Sequence, residues 1–277
     1  MNTTEEMVMF DYQEYMRKCT PNLGEIHLGS EVRQKEREAA IHNNRGITCR
    51  DKGEVDRAIE NFTKAIELNP DLAMAYSNRG VAYGEIGDVD RSIADFTQAI
   101  ELEPDFAMVY NNRGVAYGKK GDIDRAIADF HTAIELANDY VDAHYNRGVA
   151  YGVKGEYNRA IEDYSRTIAL SPNYAKAYNN RGVAFFKKSD YARAMVDYTK
   201  AIELQPDSAD AYYNRGETLL HLGEWDKARL DLSVAVAMGV NIINGFRNDY
   251  ASVPDFERRN GIRLPDDIAA MLTSPQD

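Results

Sequence analysis

The chain has 277 residues, 44% of them hydrophobic, and carries 45 acidic side chains against 33 Lys and Arg, a formal charge of −12. That length allows a substantial buried core. The acid excess excludes broad binding to a phosphate backbone, because no basic stripe is gathered anywhere in the sequence. Two cysteines, Cys19 and Cys49, form no disulfide framework.

The first thirty residues hold Glu5, Glu6, Asp11 and Glu14, with no apolar run fit for an export signal and no small-residue cleavage site. No stretch approaches the roughly 18 apolar residues that a membrane-spanning helix needs. A soluble, cytoplasmic protein is expected. Thr3-Thr4-Glu5-Glu6 reads as a capping box opening an amphipathic helix with Met7, Phe10 and Tyr15, followed by a loop near Pro21 to Gly29. A second helix is expected from Ser30, with the charged run Glu31 to Glu38 as a solvated face leading into the repeats.

The triplet Asn-Arg-Gly begins at Asn44 and returns at Asn78, Asn112, Asn146, Asn180 and Asn214, each step 34 residues long. An aromatic or His precedes each Gly by four (His42, Tyr76, Tyr110, His144, Tyr178, Tyr212), and a bulky residue follows it by three. A second apolar set comes next, for example Ile93, Phe96, Ala99, Ile100 and Leu102, whose spacing of three and four lies on one helical face. Between the two sets stand Gly53-Glu54, Gly87-Asp88, Gly121-Asp122, Gly155-Glu156 and Gly223-Glu224, where Gly permits a left-handed residue and the acid can cap the next helix. Pro70, Pro104, Pro172 and Pro206 close four of the repeats. Each period is therefore helix, turn, helix.

In these residues the chain resembles the tetratricopeptide repeat family: a small Gly on helix A, a bulky residue three on, Ala58, Ala126, Ala160, Ala194 and Ala228 on helix B, then an aromatic, Ala and Pro. The resemblance covers about three quarters of the chain. Its departures are local: Ser92 and Thr167 replace Ala, Ser189 replaces a turn Gly, and Asn138 and Val240 replace Pro. It implies an all-α fold, a right-handed superhelix of antiparallel helix pairs with extra helices at both ends. The expected division is an N-terminal helical extension over 1–38, then six repeats at 39–72, 73–106, 107–140, 141–174, 175–208 and 209–242, then a capping helix and short helical tail over 243–277.

Counting each repeat from its first residue, the family turns positions 2, 5, 6, 9, 12 and 13 toward a concave groove. Position 6 is Asn44, Asn78, Asn112, Asn146, Asn180 and Asn214. A row of carboxamides suits the N–H and C=O groups of an extended ligand, although the same amides can equally bond within their own helix layer. Val81, Val115, Val149 and Val183 at position 9, with Gly84, Gly118 and Gly152 at position 12, make a shallow floor. Toward the C-terminal end Tyr145, Phe186, Tyr213 and Leu220 are larger, and this half is expected to hold the tighter pocket. The carboxylate clamp of chaperone-binding relatives is incomplete, with Asn43 or Ser77 at its Lys position and Ile47 or Val81 at its second Asn position.

Most family members carry Leu at position 7, where this chain carries Arg45, Arg79, Arg113, Arg147, Arg181 and Arg215. Asp95, Asp129, Asp163, Asp197 and Asp231 follow the last five of these by sixteen residues, which predicts an Arg–Asp ladder between helices A and B, with Asn61 in the first repeat. The rival reading turns the guanidinium groups toward an acidic ligand.

After Val240 the repeat lapses, since Tyr250 stands where a seventh repeat needs Gly. Ile242, Ile243 and Phe246 predict a capping helix. Ser252-Val253-Pro254-Asp255 and Leu264-Pro265-Asp266-Asp267 read as two further helix starts. The five histidines are scattered and match no zinc spacing, and no phosphate loop or nucleophile elbow is present. The expected protein is not an enzyme and takes no metal or cofactor. It is a scaffold or adaptor that holds a protein or peptide segment in its groove, without nucleic acid or membrane. The alternative is self-association, with the groove filled by the chain's own N-terminal helix.

Overall fold

A computed structural model of the protein describes residues 31–273, with side chains from residue 34. The expected capping box at Thr3, the first helix and the start at Ser30 lie outside the described residues. Every described element is a helix or a turn. The chain forms two compact units that divide between Ala150 and Tyr151.

The N-terminal unit contains α1 (Glu31–Asp51), α2 (Val55–Leu68), α3 (Ala73–Glu85), α4 (Val89–Leu102), α5 (Ala107–Lys120), α6 (Ile123–Leu136) and most of α7 (Val141–Val153). The C-terminal unit contains α8 (Tyr157–Leu170), α9 (Ala175–Lys187), α10 (Tyr191–Leu204), α11 (Ala209–Leu222), α12 (Trp225–Ala237), α13 (Ile242–Asp249), α14 (Val253–Asn260) and α15 (Asp266–Met271). Odd-numbered helices up to α11 are the A helices and even-numbered ones up to α12 the B helices. Residue 39, the expected start of the first repeat, falls inside α1, so the charged run before it and the first A helix are one continuous element.

In four of the hairpins a glycine of helix A meets a ring of helix B, and in the last Gly216 meets Leu232 instead. A Cβ added to Gly114 would stand 2.6 Å from Cε1 of Phe130, and one added to Gly182 would stand 2.7 Å from Cε1 of Tyr198. Phe62, Phe96 and Phe130 are fully buried by this approach. The substitutions off the family pattern are satisfied locally: Ser92 donates to the Gly80 carbonyl at 2.7 Å, and Thr167 to the Asp163 carbonyl at 3.0 Å.

The acids after the turn glycines split by length. Asp88, Asp122 and Asp190 accept from the backbone N–H three residues on and cap their helices. Glu54, Glu156 and Glu224, one methylene longer, make no such bond and pair instead with Arg57, Arg159 and Lys227. Ser189, where the other turns have Gly, adopts φ 60°, the left-handed region that costs an L-residue about 1–2 kcal/mol.

Beyond α12 the chain builds an apolar end. Ile242, Phe246, Phe256, Leu264, Ile268 and Leu272 are all almost completely buried in one cluster with Leu219, Leu220 and Leu232. Ser252 caps α14 by accepting from Asp255 N–H, with Pro254 in the first turn. Tyr250 packs edge-on to Phe256 with ring centroids 4.9 Å apart.

Candidate functional site

The A helices of each unit lie side by side and exchange side-chain bonds at a fixed step. In the N-terminal unit Asn78 Nδ2 donates to Asn43 Oδ1 at 3.0 Å, and Asn146 Nδ2 donates to Asn111 Oδ1 at 2.9 Å. In the C-terminal unit Asn214 Nδ2 donates to Asn179 Oδ1 at 3.0 Å. Asn111 and Asn179 each also donate to the Asn that follows them in sequence, Asn112 and Asn180. These amides are the mortar of the wall: Asn78, Asn112 and Asn146 are almost fully buried, Asn180 and Asn214 nearly so, and Asn44 alone of the six is exposed. The structure therefore favours the bonding of these amides within the helix layer over their presentation to a ligand. Sequence reasoning missed the acceptors, although Asn43, Asn111 and Asn179 alternate visibly with Ser77, Tyr145 and Tyr213 at position 5.

The larger residues expected to line a pocket also require correction. Tyr145 and Leu220 are fully buried, and Tyr213 is 4% exposed with its ring against Gly245 of α13. Only Phe186 remains half-buried, its ring 5.5 Å from Tyr191 and 5.1 Å from His221.

Position 7 forms two-pronged pairs. Arg79 Nε and Nη2 donate to the two oxygens of Asp95 at 2.8 and 2.9 Å, and the same geometry recurs for Arg113 with Asp129, Arg181 with Asp197 and Arg215 with Asp231. The hydrogen bonds they donate to Asp95, Asp197 and Asp231 hold the guanidinium groups of Arg79, Arg181 and Arg215 above the usual arginine value. The remaining Nη1 reaches the preceding repeat: Arg79 to Thr63, Arg113 to Thr97, Arg181 to Ser165 and Arg215 to Thr199, at 3.0–3.3 Å. In the fourth repeat Arg147 Nη1 donates to His131 Nδ1 at 3.1 Å, while Asp163 is buried on α8. Asn61 does not replace the missing acid of the first repeat; its oxygen faces His42 and its nitrogen donates to the Arg57 carbonyl.

What the N-terminal unit leaves open is a line of charge on the inner side of its A helices. Arg50 Nε stands 3.9 Å from Glu85, again 35 residues away, and Lys119 follows one repeat later. Burial pushes the Glu85 carboxyl up, Arg50 and Lys119 draw it down, and Asp51 adds to the rise. Glu85 and Lys119 are exposed, and beside them Val81, Val115 and Gly118 are buried while Gly84 is partly open. The arrangement is a line of alternating charges beside closely packed small residues, among which Gly84 is partly open.

The C-terminal unit differs at one residue. Position 9 of its last repeat is Glu217 where the others have Val81, Val115, Val149 and Val183, a break that the sequence shows plainly. Glu217 is 5% exposed and its Oε1 has no hydrogen-bond partner, and neither does the hydroxyl of buried Tyr213. Burial first, then the nearby Asp249, push its pKa to about 8 against the opposing pull of Lys187.

Helix hairpins laid at a fixed step and stapled by recurring side chains define a helical repeat protein. Family profiles described as tetratricopeptide repeat match residues 73–106 and 175–208 in one case and 96–128 and 197–230 in another, and a TPR repeat profile matches 46–87, 119–152 and 153–189. The chain belongs to the tetratricopeptide repeat family. Among solved structures it is similar to the MamA protein, at 29% identity over 62% of this chain and 94% of that one, with a TM-score of 0.56. It is also similar to YrrB, described as a TPR protein with an unusual peptide-binding site, at 26% identity over 64% of this chain and 92% of that one, TM-score 0.56. PilF of Pseudomonas aeruginosa shares the fold at 14% identity, covering 82% and 99% of the two chains with a TM-score of 0.64. No curated protein matches the sequence. Among the described residues no helix is long and apolar enough to cross a membrane.

Proposed function

We propose that this chain is a non-catalytic scaffold that binds a peptide or protein segment along the inner side of its A helices. The observation that carries the reading is the edge of alternating charge formed by Arg50, Glu85 and Lys119 beside the partly open Gly84. Small side chains there let a ligand backbone come close, and charges alternating at a one-repeat step favour one register over others. The likeness to YrrB, named for a peptide-binding site, supports it. The Asn amides serve this wall indirectly, by fixing the spacing between A helices, so they are poor targets for a binding test.

The test exchanges the charges with the double substitution Glu85→Lys and Lys119→Glu, both at exposed positions. Affinity capture from native lysate with mass spectrometry compares this variant with the unaltered chain, and circular dichroism verifies the fold. A partner held by the unaltered chain is expected to be lost by the folded variant. Equal retention of the same partners by both overturns the reading.

A further inference from the structure

In both units the side-chain bonds between successive A helices join residues 35 apart. The C-terminal segment breaks that rule. Asp249 at the end of α13 pairs with Lys187 on α9, 62 residues away and close to two repeats back. Between these ends α13 crosses α11 so tightly that a Cβ on Gly245 would lie 2.8 Å from Cζ of Tyr213. Tyr250 donates to or accepts from His221 Nε2 at 2.9 Å, and the Phe256 ring lies 5.1 Å from the His221 ring. The segment thus covers positions 5, 9 and 13 of the last A helix: Tyr213, Glu217 and His221.

We propose that α13 is an intramolecular occupant of the inner face of α9 and α11, seated while Glu217 carries a proton and displaced as Glu217 ionises, which uncovers this face for a partner. The inference rests on the reading of the inner face as the binding surface. A carboxylate with one oxygen sealed from water and without a hydrogen bond is costly, whereas the neutral acid is tolerated. Lifting α13 returns water to Glu217 and removes Asp249 from its side, so ionisation favours the open form.

The groups facing Glu217 set the pH range. They are Asp249 and Tyr250 from the C-terminal segment, Lys187 from α9, Tyr198 from α10, and Tyr213 on α11. Glu217 titrates near 8 when covered and near its ordinary 4.5 when open, so opening gains with rising pH between those values. His221 opposes it: burial lowers its pKa to about 4 against weaker upward pulls from Asn260 and Asp249, so opening gains as pH falls from 6.5 toward 4. The two cancel between 4.5 and 6.5, and only the Glu217 effect remains from 6.5 to 8.

Hydrogen–deuterium exchange of the backbone amides of residues 242–250 in the full chain, corrected for intrinsic rates, reads the opening. From pH 6 to pH 8 protection is expected to fall about tenfold in the unaltered protein and to rise a few-fold in Glu217→Gln, where His221 alone titrates. Constant protection in the unaltered protein, or the same fall in Glu217→Gln, overturns the proposal. Gly245→Ala is expected to unseat α13 at every pH while the repeats keep their helix content, and full protection in that variant also overturns it. Partner capture with the Glu85 and Lys119 exchange is scored separately. If that capture fails while α13 responds to pH, the wall reading falls alone; if capture holds while α13 ignores pH, the gate falls alone.

Discussion

The N-terminal and C-terminal units use the same hairpin and the same guanidinium pair, yet among the described residues the inner side of one carries exposed charges while the last repeat of the other is covered by a helix. In residues 31–150 position 9 is apolar in the second to fourth repeats' A helices, and the exposed charges stand at the edge. In residues 151–273 the last repeat places an acid at that position and lays a helix over it. The comparison teaches that packing in such an array is held by positions 7, 8, 23 and 24, which leaves position 9 free to vary with use.

The largest expected effect breaks what the units share. Asp129→Ala in one and Asp197→Ala in the other leave Arg113 and Arg181 without their carboxylate, and each is expected to lose about 3 kcal/mol by chemical denaturation. Unequal losses would show that the pairs are not equivalent. Next, Glu217→Val gives the C-terminal unit the residue found at the same place elsewhere. Because the covered Glu217 pKa lies above its open value, its contribution is harmless below pH 4.5 and increasingly unfavourable up to pH 8. The variant is expected to gain about 2 kcal/mol at pH 8 and much less at pH 5, read from thermal melts at both pH values. A gain independent of pH would assign the effect to packing alone. The smallest effect tests the one irregular turn: Ser189→Gly relieves a left-handed residue at φ 60° and is expected to add about 0.5 kcal/mol, the steric relief being partly offset by the entropy of the added glycine.

The repeat is legible because helix pairing is governed by residue volume at fixed spacing: Gly recurs at every period, and the aromatic and Ala of helix B recur with single exceptions at Leu232, Ser92 and Thr167. The guanidinium pairs were legible for the same reason: sixteen residues carry the chain from one helix to its partner at the same height, and the structure shows four such pairs in full. The direction of the Asn amides was not legible. Position 6 lies near the boundary between groove and helix contact, and its amide bonds an Asn at position 5, in the preceding repeat for Asn78, Asn146 and Asn214 and in the same repeat for Asn112 and Asn180. Tyr145 and Leu220 line no cleft because they are fully buried, whereas Tyr213 lies on the inner face but beneath α13. The cap was legible as a helix from Ile242, Ile243 and Phe246, but not its reach to Lys187, which arises from a change of direction after Val240 that no periodicity encodes.

Four of the guanidinium groups, those of Arg79, Arg113, Arg181 and Arg215, each hold an acid in their own repeat and a hydroxyl in the one before. Such a link is indifferent to where along the period a gene is cut and rejoined, provided that whole periods are gained or lost, since each of these four Arg residues finds an Asp and a Thr or Ser at the same offsets. The array can therefore lengthen or shorten over evolutionary time without redesign of its junctions, while an insertion of a single residue within a helix would misalign every contact that residue separates.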